Sequence, residues 1–331
     1  MSQDNRQWVL KSRPVGMVKE SDFELITTPV PVPDEGQLLI RNHILAFEPA
    51  MRGWIDDKPN YMPPVQIGSV MRGSTVGEVI ESNREGFSKG DLVTGMLGWQ
   101  EYAVADAMVR TIPKDVDPAL MMSTLGTTGV TAYYGLLKIG EPKAGDTVVV
   151  SGAAGATGSV VGQIAKLKGC RVIGIAGGPE KCAWLTDKAH FDEAIDYKNE
   201  DVDARLEALC PDGMNIFFDN VGGAILNSAL GRLAHGARVV ICGSISGYNA
   251  EKRPAGPANY YNIVQKRARM EGFVILDYLA KAAEAVDDLV KWVGEGQITW
   301  EADIQQGFEN APKTLLRLYN GSNFGKQLLE I

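Results

Sequence analysis

From Thr147 onward the chain repeats one pattern: a run of β-forming residues, a glycine break, then a stretch with helical spacing. Strand-like residues at 148–152 precede a helical stretch at 157–168, and RVIGIAG at 171–177 precedes one at 179–189. The short run EAID ends at Asp196 and a helix spans roughly 201–209. NIFFDN at 215–220 then leads into a helix at 223–234, and RVVICG at 238–243 closes the series. Strands separated by helices of about ten residues cannot pair as tight hairpins. They predict an α/β fold with a doubly wound parallel sheet. A further helix is predicted over Asp277–Gly294, where Leu279, Ala282, Ala283, Val286, Leu289, Val290 and Val293 recur at threes and fours.

The first 125 residues read differently. Short β-like runs, Gln37–Arg41, Gly73–Glu81, Asp91–Gly95 and Tyr102–Ala105, are punctuated by Gly and Pro. Such spacing describes a folded-over β domain. Short strand-like runs return after Gly296 and end in GKQLLEI, so the tail is expected to rejoin the N-terminal domain. The expected division is a β-rich domain of residues 1–125 completed by 297–331, and a sheet domain of 126–296. A chain of 331 residues is long enough for two cores.

The most informative turn is Gly152-Ala153-Ala154-Gly155-Ala156-Thr157-Gly158. A dinucleotide-binding turn needs small residues at fixed offsets: one to leave the strand sharply, one to admit the pyrophosphate, one to pack helix on strand. A glycine triplet alone is weak among 37 glycines, and an ordinary tight turn remains the alternative. Here four β-formers precede it. An amphipathic helix carrying Val160, Val161, Ile164 and Leu167 follows and ends at Gly169. The helix N-terminus would face the phosphates with its free N–H groups. At the end of the next strand, NAD sites usually carry an acid for the ribose 2′-OH. This chain has Ala176-Gly177-Gly178-Pro179-Glu180-Lys181. The uncharged end leaves room for a 2′-phosphate, and Lys181 would pair with it; a solvated surface lysine is the other reading. The cofactor expected is NADP(H).

Acidic residues outnumber basic ones, 41 to 33, for a net charge of −8. No Lys/Arg cluster is present, which argues against nucleic acid or an anionic membrane as partner. The N-terminus lacks a basic segment followed by an apolar run, and no run approaches a bilayer span, so a cytoplasmic protein is expected. Cys170, Cys182, Cys210 and Cys242 form no CxxC and read as unpaired thiols. Three histidines, His43, His190 and His235, sit apart from the cysteines, and no HExxH occurs. Zinc catalysis needs three protein ligands, so no metal site is expected.

With these residues in view, the chain resembles the zinc-independent medium-chain dehydrogenase/reductases. Within them it is similar to the prostaglandin reductase and alkenal/alkenone double-bond reductase group, with its bacterial curcumin-reductase-like members. The matching stretches run nearly end to end: Pro49–Gly53, Val70–Gly77, Gly98–Tyr102, Gly126–Tyr133, Gly152–Gly158, Phe218–Gly223, Ile241–Asn249 and Asn323–Lys326. Zinc-dependent relatives carry a Cys near 46–50 and Gly-His-Glu near 68; this chain has Ala46–Ala50 and Gly68-Ser-Val there. The resemblance implies a GroES-like β-rich catalytic domain and a Rossmann domain with the active site in the cleft. It implies that Lys181 and Tyr197 hold the 2′-phosphate and that Asn220 lies beside the cofactor. Cys242, Gly243 and Tyr248 would pass near the ribose and nicotinamide. Phe273 and Ile275 would set backbone against the carboxamide, and Asn323 would close over the cofactor. The family often forms homodimers.

The implied reaction is reduction of a C=C bond conjugated to a carbonyl. Tyr248 is the side-chain candidate for the proton, or else it only positions the cofactor. The substrate, an enone or enal, needs an apolar pocket, for which the candidates are Met51, Arg52, Trp54, Tyr61, Trp99, Tyr260 and Tyr261. Each aromatic among them fits β-domain core equally well. Many relatives have Asp-Pro-Tyr-Met-Arg where this chain has Glu48-Pro-Ala-Met-Arg52, so Ala50 enlarges the pocket. Two other readings stay open: an NADPH:quinone reductase, and a non-catalytic NADPH-binding sensor or structural protein.

Overall fold

The structure is a computed structural model that describes residues 4–252 and 254–331. It divides into two compact units, residues 1–122 with 302–331, and residues 123–301.

The first unit opens with a hairpin of β1 (Asp4–Leu10) and β2 (Phe23–Pro29). It continues with β3 (Leu38–Ala46), β4 (Thr75–Ser82), β5 (Leu92–Gly95), β6 (Tyr102–Ala105) and β7 (Arg110–Thr111). The second unit supplies β8 (Thr147–Ser151), β9 (Arg171–Ala176), β10 (Glu193–Asp196), β11 (Met214–Asp219), β12 (Leu233–Ile241) and β13 (Arg269–Gly272). The chain then returns to the first unit with β14 (Ala302–Gln306) and β15 (Lys326–Glu330).

In the first unit the sheet runs β14-β15-β3-β4-β5-β7, with β6 on β3. The tail does rejoin the N-terminal strands, because β15 pairs antiparallel with β3, Leu328 opposite Ala46. Beneath the sheet, Leu10, Phe23, Phe47, Met51, Trp54, Trp99, Leu315 and Leu329 form one buried cluster. Trp99 is its hub, 5.4 Å from the Phe23 ring and 5.0 Å from the Phe47 ring.

In the second unit six parallel strands run β10-β9-β8-β11-β12-β13. Successive strands walk outward from β8 to β10, and the chain then crosses back to β11 on the other side of β8. The gap between the C-terminal ends of β8 and β11 is the topological switch point, where open α/β sheets bind ligands. Val148, Val149 and Val150 are fully buried because helices cover both faces, so the strand is apolar throughout rather than alternating. Two predicted elements differ from expectation. The helix expected to reach 234 ends at Leu230, because Leu233 already pairs with Met214 of β11. The helix expected from Asp277 starts at Ala282, after tighter turns over Ile275–Lys281. Among the described residues no helix is long and apolar enough to cross a membrane.

Candidate functional site

The glycine turn forms the floor of the switch point. Gly152 leaves β8 at φ +60°, where a residue with a Cβ is strained. The Ala153 N–H donates to Ile175 O of β9 at 3.0 Å, which holds the turn against the sheet. Gly155 caps the helix Ala156–Leu167, and no side chain caps its first N–H groups. The N–H groups of Ala156, Thr157 and Gly158 therefore point outward without an intrahelical acceptor. Gly158 is the packing glycine: a Cβ there would lie 2.4 Å from Gly152 O and 2.9 Å from the Ala153 Cα.

A buried polar network ties this turn to the strand ends beside it. The Ser151 hydroxyl, at the end of β8, donates to Asp219 Oδ1 at 2.7 Å. Asn220 donates its backbone N–H to Ser151 Oγ at 2.9 Å and its side-chain amide to Ser151 O at 2.7 Å. The Val221 and Gly222 N–H groups both donate to Asp219 Oδ1 at 3.0 Å. The Cys242 and Gly243 N–H groups, just past β12, donate to Asp219 O at 2.9 and 3.1 Å. The ends of three strands are thus locked around one residue, Asp219, through its carboxylate and its main-chain carbonyl. Burial pushes the Asp219 pKa up, and the Gly222, Ser151 and Val221 donors offset only part of that rise. Tyr248 closes the same corner from the short helix Ile245–Tyr248. Its Oη accepts from the Ser244 N–H at 3.2 Å and lies 3.2 Å from where a Gly243 Cβ would be. So the structure brings together Gly152–Gly158, Asn220, Cys242, Gly243 and Tyr248.

At the end of β9 the chain turns through Gly178 at φ +99° with open space beside it. Among the described residues the carboxylate that hydrogen-bonds this turn is Asp196, and it is already engaged. Its Oδ1 accepts from the Gly178 N–H at 2.7 Å and the Lys198 N–H at 3.1 Å, and its Oδ2 from the Asn199 side chain at 2.7 Å. Burial pushes its pKa up, but these donors outweigh the burial and hold it below the ordinary aspartate value. Glu180 lies exposed in the first turn of the next helix. Tyr197 is 44% exposed, and its ring lies 2.8 Å from where a Gly177 Cβ would be. The Lys198 Cε lies 3.0 Å from the same point, so two side chains flank the glycine pair. Lys198 was not among the sequence candidates; the turn-forming string Asp196-Tyr-Lys-Asn199 was the available signal. Lys181 sits on the first turn of the helix Pro179–Asp187, partly buried.

Other candidates lie elsewhere in the same unit. Phe273 follows β13 and packs into the space at Gly135, where a Cβ would be 2.5 Å from its ring. Ile275 begins the turns after it. Tyr260 and Tyr261 are 64% and 61% exposed, on a segment tied to the helix Gly223–Leu230 through Asn259 and Asn262. Both rings are open to solvent, and their assignment as substrate contacts rests on the sequence reading.

In the first unit three of the pocket candidates pack into the core, the alternative that the sequence left open for the aromatic residues. Met51, Trp54 and Trp99 are at most 4% exposed and belong to the central core, because the short helix Met51–Trp54 needs an apolar anchor beneath the sheet. Arg52 is 5% exposed, its guanidinium committed to Asp56 at 2.5 Å and to the Gly16 carbonyl at 3.3 Å. Tyr61 is half exposed. Asn323 donates to Gly325 O at 3.2 Å, within the tail that enters β15.

Residues 6–112 match the sequence family described as the N-terminal domain of oxidoreductase, and 156–293 the family described as zinc-binding dehydrogenase. The chain is 43% identical to the NADPH-dependent curcumin reductase of Escherichia coli, over 99% of this chain and 97% of that protein. The chain belongs to the zinc-independent medium-chain dehydrogenase/reductases. This medium-chain reductase is also 38% identical to a 2-alkenal reductase (NADP(+)-dependent) of Nicotiana tabacum, over 99% of this chain and 97% of the tobacco enzyme. Among solved structures it is similar to CurA from Vibrio vulnificus in complex with NADPH, at 43% identity and a TM-score of 0.94, covering 98% of each chain. The Rossmann sheet and β-rich unit described above are those of the medium-chain reductase fold. Among the described residues, no group of three or more His, Cys, Asp or Glu is placed to hold a metal ion.

Proposed function

We propose that this reductase uses NADPH to reduce the C=C bond of α,β-unsaturated aldehydes and ketones. The observation that carries the proposal is the knotted corner of Ser151, Asp219, Asn220 and Gly243 beside the uncapped glycine turn. It leaves outward N–H groups and one tyrosyl hydroxyl, Tyr248, at the switch point. The names of the relatives, curcumin reductase and 2-alkenal reductase, supply the substrate class.

The residues present fit the dinucleotide. A Cβ at Gly158 would push the helix away from the turn, so the close packing needed for a pyrophosphate cradle requires glycine there. At the end of β9 the Asp196 carboxylate already accepts three hydrogen bonds, which take up most of its acceptor capacity and leave it poorly placed to serve a ribose 2′-OH. Lys181, Tyr197 and Lys198 would hold a 2′-phosphate instead. A charge-assisted bond to such a group contributes about 1.5–3 kcal/mol, or about ten- to a hundredfold in affinity.

When bound, NADPH supplies the hydride that adds to the β-carbon of the substrate. The tasks left to the chain are orientation and proton supply. The Asp219 network fixes Asn220 and Gly243 so that the floor of the site does not shift. Tyr248 presents its hydroxyl from this fixed corner, held by the Ser244 N–H, as proton donor to the α-carbon or partner of the developing negative oxygen.

We further place the protein in the cytoplasm as a homodimer. The four cysteines are unpaired, which fits a reducing compartment. The edge strand β13 exposes Met270, and an uncovered edge is a pairing surface. NADPH oxidation with a panel of enones against a panel of quinones tests the function. The proposal predicts higher kcat/KM for enones and for NADPH over NADH. Preferential turnover of quinones, or equal use of NADH, would overturn it.

A further inference from the structure

In a dinucleotide site that prefers NAD, an acid at the end of the second strand binds the ribose 2′-OH. Here the second strand, β9, ends in Ala176-Gly177-Gly178, and the acid beside it comes from the neighbouring strand. β10 pairs in parallel with β9 and sets Asp196 level with Ala176. The Asp196 carboxylate is turned onto main chain: its Oδ1 accepts from the Gly178 N–H at 2.7 Å and from the Lys198 N–H at 3.1 Å. One oxygen thereby joins the turn after β9 to the turn after β10. The second bond is to the Lys198 main chain, which leaves the ammonium out of the clasp.

The turn after β10 is tied off around the same residue. Asp196 O accepts from the Asn199 and Glu200 N–H groups at 3.0 and 2.8 Å, and the Asn199 side chain donates to Oδ2 at 2.7 Å. The Tyr197 N–H donates to Ala176 O at 3.1 Å, which closes the turn against β9. Held in this way, Lys198 lies across the glycine pair, its Cε 3.0 Å from where a Gly177 Cβ would be. Asp196 is 8% exposed, and a carboxylate buried so far is stable only when donors satisfy it. Those donors reach it from both of the turns that a 2′-phosphate would meet.

We propose that Asp196 is a positioning residue for NADPH: by clasping the two turns it sets Lys198 against the end of β9, where the lysine meets the 2′-phosphate. This rests on the reading of Lys198 as a 2′-phosphate residue. The acid serves through its shape as an acceptor, and its charge opposes the phosphate. Asparagine keeps the acceptor and removes the charge: its Oδ1 can accept from both N–H groups, and the Asn199 amide can turn over to present its oxygen. Alanine removes the acceptor and releases Lys198.

The test measures NADPH and NADH affinity by fluorescence titration of the full-length protein. The variants are Asp196→Ala, Asp196→Asn, Lys198→Ala and the double variant of Asp196→Ala with Lys198→Ala. Asp196→Ala should lower the NADPH-to-NADH affinity ratio about tenfold or more, and Asp196→Asn should keep it within about threefold of wild type or raise it. Once Lys198 is replaced, Asp196→Ala should change the ratio less than about threefold, because it acts through that lysine. If Asp196→Ala does not fold, Asp196→Ser replaces it in both roles, since its hydroxyl stops one bond short of the Oδ1 position. Equal losses of NADPH and NADH in Asp196→Ala, an equal fall of the ratio in Asp196→Asn, or additive losses in the double variant overturn the assignment. A ratio that falls in Lys198→Ala but holds in Asp196→Ala overturns the role of Asp196 alone. A ratio unchanged in Lys198→Ala overturns the phosphate reading of Lys198 and the proposal with it.

Discussion

Gly155 and Gly158 lie three residues apart, yet the structure gives them opposite duties. A Cβ on Gly158 would meet only backbone: Gly152 O at 2.4 Å, the Ala153 Cα at 2.9 Å and the Gly152 carbonyl carbon at 3.0 Å. No side chain can rotate out of the way, so the helix Ala156–Leu167 must withdraw by roughly 1 Å to restore ordinary contact distances. Overpacking of this kind costs about 1–3 kcal/mol, and the better helix propensity of alanine returns up to about 1 kcal/mol. Gly158→Ala should therefore lose about 1–2 kcal/mol, a fall in Tm of about 2–8 °C. Gly155 has φ −87°, which alanine tolerates, and its Cβ would lie 3.2 Å from Gly152 O. Gly155→Ala should leave Tm within about 2 °C. Its methyl group, however, stands at the uncapped helix end where the pyrophosphate would approach, so NADPH affinity should fall at least about tenfold. Differential scanning calorimetry without cofactor and a fluorescence titration with NADPH separate the two effects. An unchanged Tm in Gly158→Ala, or unchanged NADPH affinity in Gly155→Ala, would refute the division of labour.

Three further outcomes are expected. Tyr248→Phe should lower kcat by about 10²–10⁴-fold if the hydroxyl supplies the proton; in steady-state assays, an unchanged kcat removes Tyr248 from the chemistry. Lys181→Ala and Lys198→Ala should each weaken NADPH about ten- to a hundredfold while leaving NADH affinity within about twofold; equal losses for both cofactors would place neither lysine at the 2′-phosphate. The four thiols should resist alkylation by the electrophilic enones. Burial and Asp146 push Cys170 up to about 11, burial with Asp196 and Glu200 push Cys182 up to about 11, and burial with Asp219 pushes Cys242 up to about 12. Burial also raises Cys210. A raised thiol pKa keeps the group protonated at neutral pH, and at about 11 Cys170 and Cys182 hold about two orders of magnitude less thiolate than an ordinary cysteine. Adduct formation followed by mass spectrometry should be slow at pH 7, accelerate about tenfold per pH unit up to about pH 11, and become fast on unfolding. Rapid modification of the folded protein at pH 7 would contradict this.

What could be read from the sequence followed from burial on both faces. The runs at β8, β9 and β11 stand out because a parallel sheet covered by helices makes every position apolar. The edge strand β13, Arg269–Gly272, was not foreseen, since its exposed residues carry no such pattern. Met51, Trp54 and Trp99 fit pocket and core alike in sequence, because burial depends on the distant Phe23 and Leu315 that join them in one cluster. The glycine turn was visible as spacing. The Asp219 knot that fixes it was not, because it joins residues 68 positions apart through one carboxylate. Lys198 escaped notice for a related reason: its place beside Gly177 depends on β10 lying next to β9.

The most direct test of the account follows the hydride itself. An enone is reduced with NADPH deuterated on the transferred position, and the product is analysed by NMR and mass spectrometry. The account predicts a saturated ketone carrying one deuterium on the carbon β to the carbonyl. An allylic alcohol with deuterium on the former carbonyl carbon, or a product without deuterium, would contradict it.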